Sequence, residues 1–368
     1  MALALAACGG NARPPSLASV FDGAAPGDLD AGPAARDAVP LREMPSCGGT
    51  AASLSRRQVT VVLVIDRSGS MMDPGTDGTP KWNALLATLG ALLPRIEDDV
   101  QLGLEMFPNP QNPAMMTTSE AVACALHASI DVAPAYHNAA TILRALHGWL
   151  PYGPTPTAAA LESAGTWFRT APDRSGDQYI ILATDGAPNC NPDLPVAGCR
   201  CTSPPAMCQA SNPSGASACL DDVRTLATIR ASHLAGVDTY VVGLSGVEDF
   251  SDVLGRMATE GGRARSTTPP YYAAGSATEL TRELTSISSS IVDCRFALQA
   301  APPDPTLVDV RLDGASLVHD VGHVDGWDWF DDTHGAIVFY GRTCDEITAA
   351  TGGSRLVAAF GCPAPVPP

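Results

Sequence analysis

The chain has 368 residues, enough to bury a sizeable core, and its 39 acidic against 22 basic residues give a net charge of −17. That balance excludes nucleic acid and anionic membrane surfaces as electrostatic partners, because both would be repelled at long range. Gly and Pro number 34 and 32, so long loops and linkers are expected, and 11 cysteines point to an oxidising compartment where disulfides persist.

At the start of the chain, Leu5-Ala6-Ala7-Cys8 fits a bacterial lipobox, in which a small residue precedes a cysteine that becomes lipidated. Residues 1–8 read as the tail of a truncated signal whose basic front half is missing. Setting Cys8 aside leaves an even set of ten: Cys47, Cys124, Cys190, Cys199, Cys201, Cys208, Cys219, Cys294, Cys344 and Cys362. Residues 9–45 are rich in Ala, Gly, Pro and Asp and carry no apolar periodicity, which is the composition of a flexible tether. The expected location is the bacterial cell envelope, at the outer membrane or cell surface. The lipid is the expected membrane contact, since no other stretch is long and apolar enough to span.

Residues 59–65 are β-branched at most positions and almost continuously apolar, which predicts a strand buried on both faces at the centre of a parallel sheet. The strand runs into Asp66-Arg67-Ser68-Gly69-Ser70. Open α/β sheets bind ligands at the carboxyl ends of their strands. The D-x-S-x-S spacing sets three side-chain oxygens on one tight loop, and hard oxygens suit Mg²⁺ best, with Mn²⁺ or Ca²⁺ as alternatives, rather than zinc. Leucines at helical spacing predict a helix over 81–96, followed by a strand over 100–107 and a helix over 139–150. Gly153-Pro154-Thr155-Pro156-Thr157 opens a helix over 157–168, and a second buried strand over 179–184 ends in Asp185-Gly186. A helix over 220–234, a strand over 237–244, a short helix over 250–258 and a closing helix over 277–292 complete the alternation. Strands alternating with helices predict an α/β fold with a doubly wound, mostly parallel sheet.

Residues 188–219 interrupt this rhythm with five cysteines and many prolines, and are expected to be a disulfide-stapled insertion. Because it leaves directly after Asp185, its root should lie beside the strand ends, where it could set ligand specificity or merely cover the sheet. A zinc site around Cys199 and Cys201 finds no histidine nearby. After Cys294 short alternating segments at 296–298, 307–312, 327–330, 336–340 and 355–360 predict a small β-rich domain over 294–363. There His319 and His323 stand among Asp320, Asp325, Asp328, Asp331 and Asp332. A second metal site and solvent-facing strand-edge residues both account for those letters.

Taken together, the D-x-S-x-S, G-x-T-x-T and T-D-G segments resemble the von Willebrand factor type A family and its metal-ion-dependent adhesion site. The resemblance implies a type A domain over 55–293, with Asp66, Ser68, Ser70, Thr155 and Asp185 holding a divalent cation and Thr157 the less favoured ligand. It also implies a protein partner whose exposed Asp or Glu completes the metal coordination. In type A domains the two chain ends lie close together, which implies a Cys47–Cys294 clasp. Cys344 would then pair with Cys362, and Cys124 would be left to tie the insertion down. An enzyme is not expected: no histidine flanks the three loops, and there is no G-x-S-x-G, phosphate loop or H-E-x-x-H. A non-catalytic scaffold subunit of an envelope complex, or a structural surface protein with a vestigial site, remain the alternatives.

Overall fold

The computed structural model describes residues 51–108, 124, 126, 129–171, 176–212, 215–291, 294–330, 332–349 and 355–367. Cys8, the 9–45 tether, Cys47 and Asp331 lie outside them. The α/β unit is built on a six-stranded sheet of β2 (Val59–Asp66), β3 (Val100–Phe107), β4 (Val132–Ala135), β5 (Asp177–Thr184), β6 (Val237–Leu244) and β7 (Tyr272–Ala274). The strand order is β4-β3-β2-β5-β6-β7, parallel throughout except for β4 at one edge.

Every residue of β2 is buried, and its side chains alternate between two layers. Val61, Leu63 and Ile65 pack against α1 (Lys81–Ile96), α2 (Ala139–His147) and α6 (Ala277–Ile291), through Leu85, Leu89, Ile142, Leu284 and Ile287. Val62 and Val64 face the opposite layer of α3 (Thr157–Thr170), α4 (Asp222–Leu234) and α5 (Ser251–Glu260), through Ala160, Leu161, Ile229 and Leu254. A strand covered on both faces has no polar side to show, which is why it reads as an unbroken apolar run. Each fully buried Val or Leu contributes on the order of 1.5–3 kcal/mol to this sandwich. Among the described residues no helix is long and apolar enough to cross a membrane.

The second sheet is antiparallel and seven-stranded, in the order β10-β9-β13-β1-β8-β12-β11. Its strands are β1 (Ala51–Arg56), β8 (Cys294–Leu298), β9 (Val308–Leu312), β10 (Ala315–Ser316), β11 (Gly326–Trp329), β12 (Ala336–Tyr340) and β13 (Leu356–Phe360). Here the sequence reading needs correction. The sheet is not made by residues 294–363 alone, because β1 enters its middle, pairing with β13 through Ala51–Ser53 and with β8 through Leu54–Arg56. The region also holds a helix, α7 (Gly341–Ala349), where only strands were expected.

The expected disulfide clasp is overturned as well. Cys294 on β8 bonds Cys344 on α7, at a Cα separation of 5.6 Å, which rules out both Cys47–Cys294 and Cys344–Cys362. The reason is local: β12 pairs with β8 and leads straight into α7, which places Cys344 over Cys294. Cys362 is also disulfide-bonded.

The two sheets meet where β1 passes into β2. Arg56 pairs with Asp99 before β3, while Arg57 and Arg295 both pair with Asp177 at the start of β5, at 3.1 and 3.3 Å. Asp99 and Asp177 sit at the amino ends of the parallel strands, so the antiparallel sheet attaches to the end remote from Asp66 and Asp185. On β3, Glu105 is only 2% exposed. Burial, reinforced by the nearby Asp131 carboxylate, pushes its carboxyl up to about 9. The folded state therefore holds this proton more tightly than the unfolded chain does. Its contribution is fully present below the unfolded value and is lost as pH rises toward 9. Glu105→Gln should raise the melting temperature by a few degrees at about pH 8 and leave it nearly unchanged at about pH 4.5, as read by thermal denaturation at both pH values.

Candidate functional site

Asp66 ends β2 and Asp185 follows β5, its immediate parallel neighbour, so the two carboxylates emerge side by side at the carboxyl edge of the sheet. Both are almost entirely withdrawn from solvent, at 0% and 2% exposure. Burial raises the pKa of each, and for Asp66 the charge of Asp185 is the next largest cause. Around them the chain supplies donors. Asp66 Oδ1 accepts the Ser68 N–H at 2.7 Å, an Asx turn that bends the chain out of the strand. Asp66 Oδ2 accepts the Thr184 hydroxyl at 2.5 Å.

Ser68 then opens a single 3₁₀ turn, Gly69–Met72, whose Met71 is fully buried in the core and anchors the loop. The turn brings the Ser68 and Ser70 hydroxyls within 3.1 Å of each other, and Ser70 Oγ donates to Asp185 Oδ1 at 2.9 Å. Asp66, Ser68, Ser70 and Asp185 therefore form one continuous polar group. Lys81 Nζ lies 2.6 Å from Asp185 Oδ2.

The Gly153–Thr157 segment docks onto this loop through its backbone. Gly69 N–H donates to the Gly153 carbonyl at 3.1 Å, and Tyr152 N–H to the Arg67 carbonyl at 2.7 Å. Thr155 is 6% exposed. Its hydroxyl oxygen would lie 3.8 Å from a Cβ built on Gly186, so it borders the Asp185-Gly186 turn. Thr157 is different: its hydroxyl turns inward to the Thr155 carbonyl at 3.4 Å, on the first turn of α3.

The insertion roots at the same place. Asn189 Oδ1 accepts the Thr155 N–H at 2.9 Å, and Asn189 N–H donates to the Thr155 carbonyl at 3.0 Å. Cys124 secures the insertion through Cys190. Cys199–Cys219 and Cys201–Cys208 staple its interior. Sulfurs of Cys199, Cys208 and Cys219 make the one group of three His, Cys, Asp or Glu ligand atoms found among the described residues, but all three are held in disulfides. In the antiparallel sheet, His319 and His323 each direct Nε2 to Asp328, at 2.9 and 2.8 Å, and stack on Trp327 and Tyr340.

Sequence reasoning missed four residues that shape the site. Thr184, adjacent to Asp185 in T-D-G, was legible from the motif. Arg67 was passed over as the variable position of D-x-S-x-S, although it is 4% exposed and bonds the Pro108 and Leu150 carbonyls at 3.1 and 2.6 Å. Lys81 and Asn189 carry no signal short of the fold, since each reaches the site across more than a hundred or about thirty residues of chain.

The donor set suits a hard cation: two buried carboxylates that oppose each other's charge, with neutral hydroxyls converging between them. Residues 61–187 match the family model of the von Willebrand factor type A domain, and the α/β unit has that fold. No curated protein matches the sequence. Among solved structures, the pilus adhesin SpaC of Lactobacillus rhamnosus GG is similar at 15% identity and a TM-score of 0.46, over 84% of this chain and 40% of that one. The chain thus spans less than half the length of that adhesin. The vWF domain of the type V pili tip protein Mfa5 from Porphyromonas gingivalis is similar at 14% identity and a TM-score of 0.43, over 64% and 96%. Manganese-loaded Plasmodium vivax TRAP protein is similar at 16% identity and a TM-score of 0.40, over 72% and 89%.

Thr184 holds Asp66 from a buried position, so Thr184→Val, which keeps the shape and removes the donor, should cost about 1–3 kcal/mol in chemical denaturation.

Proposed function

We propose that this protein is a surface adhesion protein of the bacterial cell envelope, binding a partner protein through a divalent cation. Asp66, Ser68, Ser70, Thr155 and Asp185 would hold the ion, Mg²⁺ before Mn²⁺ or Ca²⁺. The observation that carries this reading is the hydrogen-bonded run of Asp66, Ser68, Ser70 and Asp185 at the carboxyl edge of a type A sheet. When bound, the cation would supply an electrostatic attraction for a carboxylate. The three hydroxyls bring no charge of their own, so they leave most of that attraction available to a partner's Asp or Glu.

Thr184 and the Ser68 N–H orient Asp66, and Asn189 fixes the backbone around Thr155. A cation attracts every carboxylate, so discrimination requires contacts around it. The insertion rooted at Asn189 is our candidate for those contacts. Binding rather than catalysis is the proposal, in keeping with the type A fold. The stapled insertion and the Cys294–Cys344 bond agree with an extracytoplasmic location, and Cys8 is the proposed lipid attachment.

Titration calorimetry should find Mg²⁺ and Mn²⁺ binding in the micromolar-to-millimolar range, with Asp66→Ala and Asp185→Ala abolishing it in folded protein. Binding undiminished in both variants would move the cation elsewhere. Partner capture from a cell-surface extract should be lost on adding chelator. It should also be lost when residues 192–218 are replaced by a short Gly-Ser linker with Cys219→Ser, which leaves Asn189 and Cys190 in place. Retained capture by that variant would transfer specificity to another surface.

For the anchor, Cys8→Ser should shift the protein from the membrane fraction to the soluble fraction. Mass spectrometry showing an unlipidated Cys8 in mature protein would defeat that part.

A further inference from the structure

Lys81 opens α1, directly after Pro80, with its side chain 6% exposed. Both facts run against local preference. A lysine ammonium is a strongly hydrated point charge that is rarely buried without a partner, and the amino end of a helix already carries partial positive charge. The compensation lies far away in sequence. Lys81 Nζ sits 2.6 Å from Asp185 Oδ2 and donates to the Ser245 carbonyl, beyond the end of β6, at 3.0 Å. The carboxylate of Asp185 is thus divided between two neighbours, with Oδ1 turned to Ser70 among the hydroxyls and Oδ2 turned to Lys81. The ammonium is thereby held on Oδ2, the oxygen that Ser70 does not use, and is tied there by the Ser245 carbonyl.

We propose that Lys81 is a built-in counter-charge of the cation site: it keeps Asp185 in its liganding position when no ion is bound, and it lowers the site's affinity for the ion alone. The inference rests on the cation reading of Asp66, Ser68, Ser70, Thr155 and Asp185. With both carboxylates ionised, one ammonium in contact with Asp185 leaves the cluster with a single net negative charge. A divalent ion entering that cluster is attracted less and is left with more uncompensated positive charge. An incoming carboxylate removes part of this excess, so the ion and the acidic partner strengthen each other's binding, as linkage requires. The same contact offsets the repulsion between Asp66 and Asp185, so the metal-free domain stays ordered.

The test is Lys81→Met in the full chain, with Mn²⁺ as the probe in calorimetry and in thermal melts. Removing a positive charge in contact with a carboxylate should tighten Mn²⁺ by about tenfold or more, given the size of such interactions at a partly buried site. It should also lower the melting temperature in EDTA and widen the rise that Mn²⁺ produces. Lys81→Arg, which keeps the charge, should bind Mn²⁺ as the wild type does. If the methionine variant is too unstable to titrate, Lys81→Gln reads the same ratio, because it retains a donor for Asp185 without the charge. A folded methionine or glutamine variant that binds Mn²⁺ with wild-type or weaker affinity overturns the counter-charge role alone. Absence of Mn²⁺ binding in both wild type and variant overturns the cation reading together with it. Binding by the variant where the wild type is silent supports the proposal in its strongest form.

Discussion

Two carboxylates withdrawn from water beside each other constrain everything at the carboxyl edge of this sheet. Asp66 ends β2 and Asp185 directly follows the neighbouring β5, and parallel pairing in register leaves them no freedom to separate. Each would be costly to bury as an isolated charge. The surroundings answer in kind: a backbone N–H from the Asx turn and a threonine hydroxyl for Asp66, a serine hydroxyl and an ammonium for Asp185. None of these groups is free to move alone. Ser68 and Ser70 are set by a 3₁₀ turn pinned by Met71, and Lys81 by the start of α1. The polar cluster is thereby pre-organised by apolar packing on either side of β2.

The opposite end of the same sheet carries the attachment to the antiparallel sheet. Asp177 opens the very strand that delivers Asp185, and there it joins Arg57 and Arg295. The antiparallel sheet, entered by β1 before the type A fold and completed by the strands after it, grips the α/β unit at the point where the chain enters and leaves. The proposed site and the antiparallel sheet are separated by the full length of eight-residue strands, so that sheet does not crowd the proposed binding face.

How much of this could be read beforehand depends on the range of the interaction. The two-sided burial of β2 and β5 was legible because a strand covered on both faces must be apolar throughout, and the helices because their apolar residues recur at helical spacing. The D-x-S-x-S loop was legible because Asx-turn chemistry is local. The antiparallel sheet was only half read: its C-terminal strands alternate visibly, but nothing in residues 51–56 announces that they pair with strands more than two hundred residues later. Cys124 does tie the insertion down, but the forecast of a Cys47–Cys294 clasp failed for the same reason. It assumed that chain ends meet, whereas Cys294 meets the helix that follows β12, the strand paired with its own.

The sequence by itself therefore determined the doubly wound sheet, the loops that carry Asp66, Ser68, Ser70, Thr155 and Asp185, and the insertion beside them, since each follows from patterns within a dozen residues. Only the tertiary structure decided that Lys81 would face Asp185, that Asn189 would grip Thr155, and that β1 would be the central seam of a second sheet. Those contacts join segments far apart along the chain. Their energies come from burial and charge pairing, which depend on position in space and leave no periodic mark on the letters.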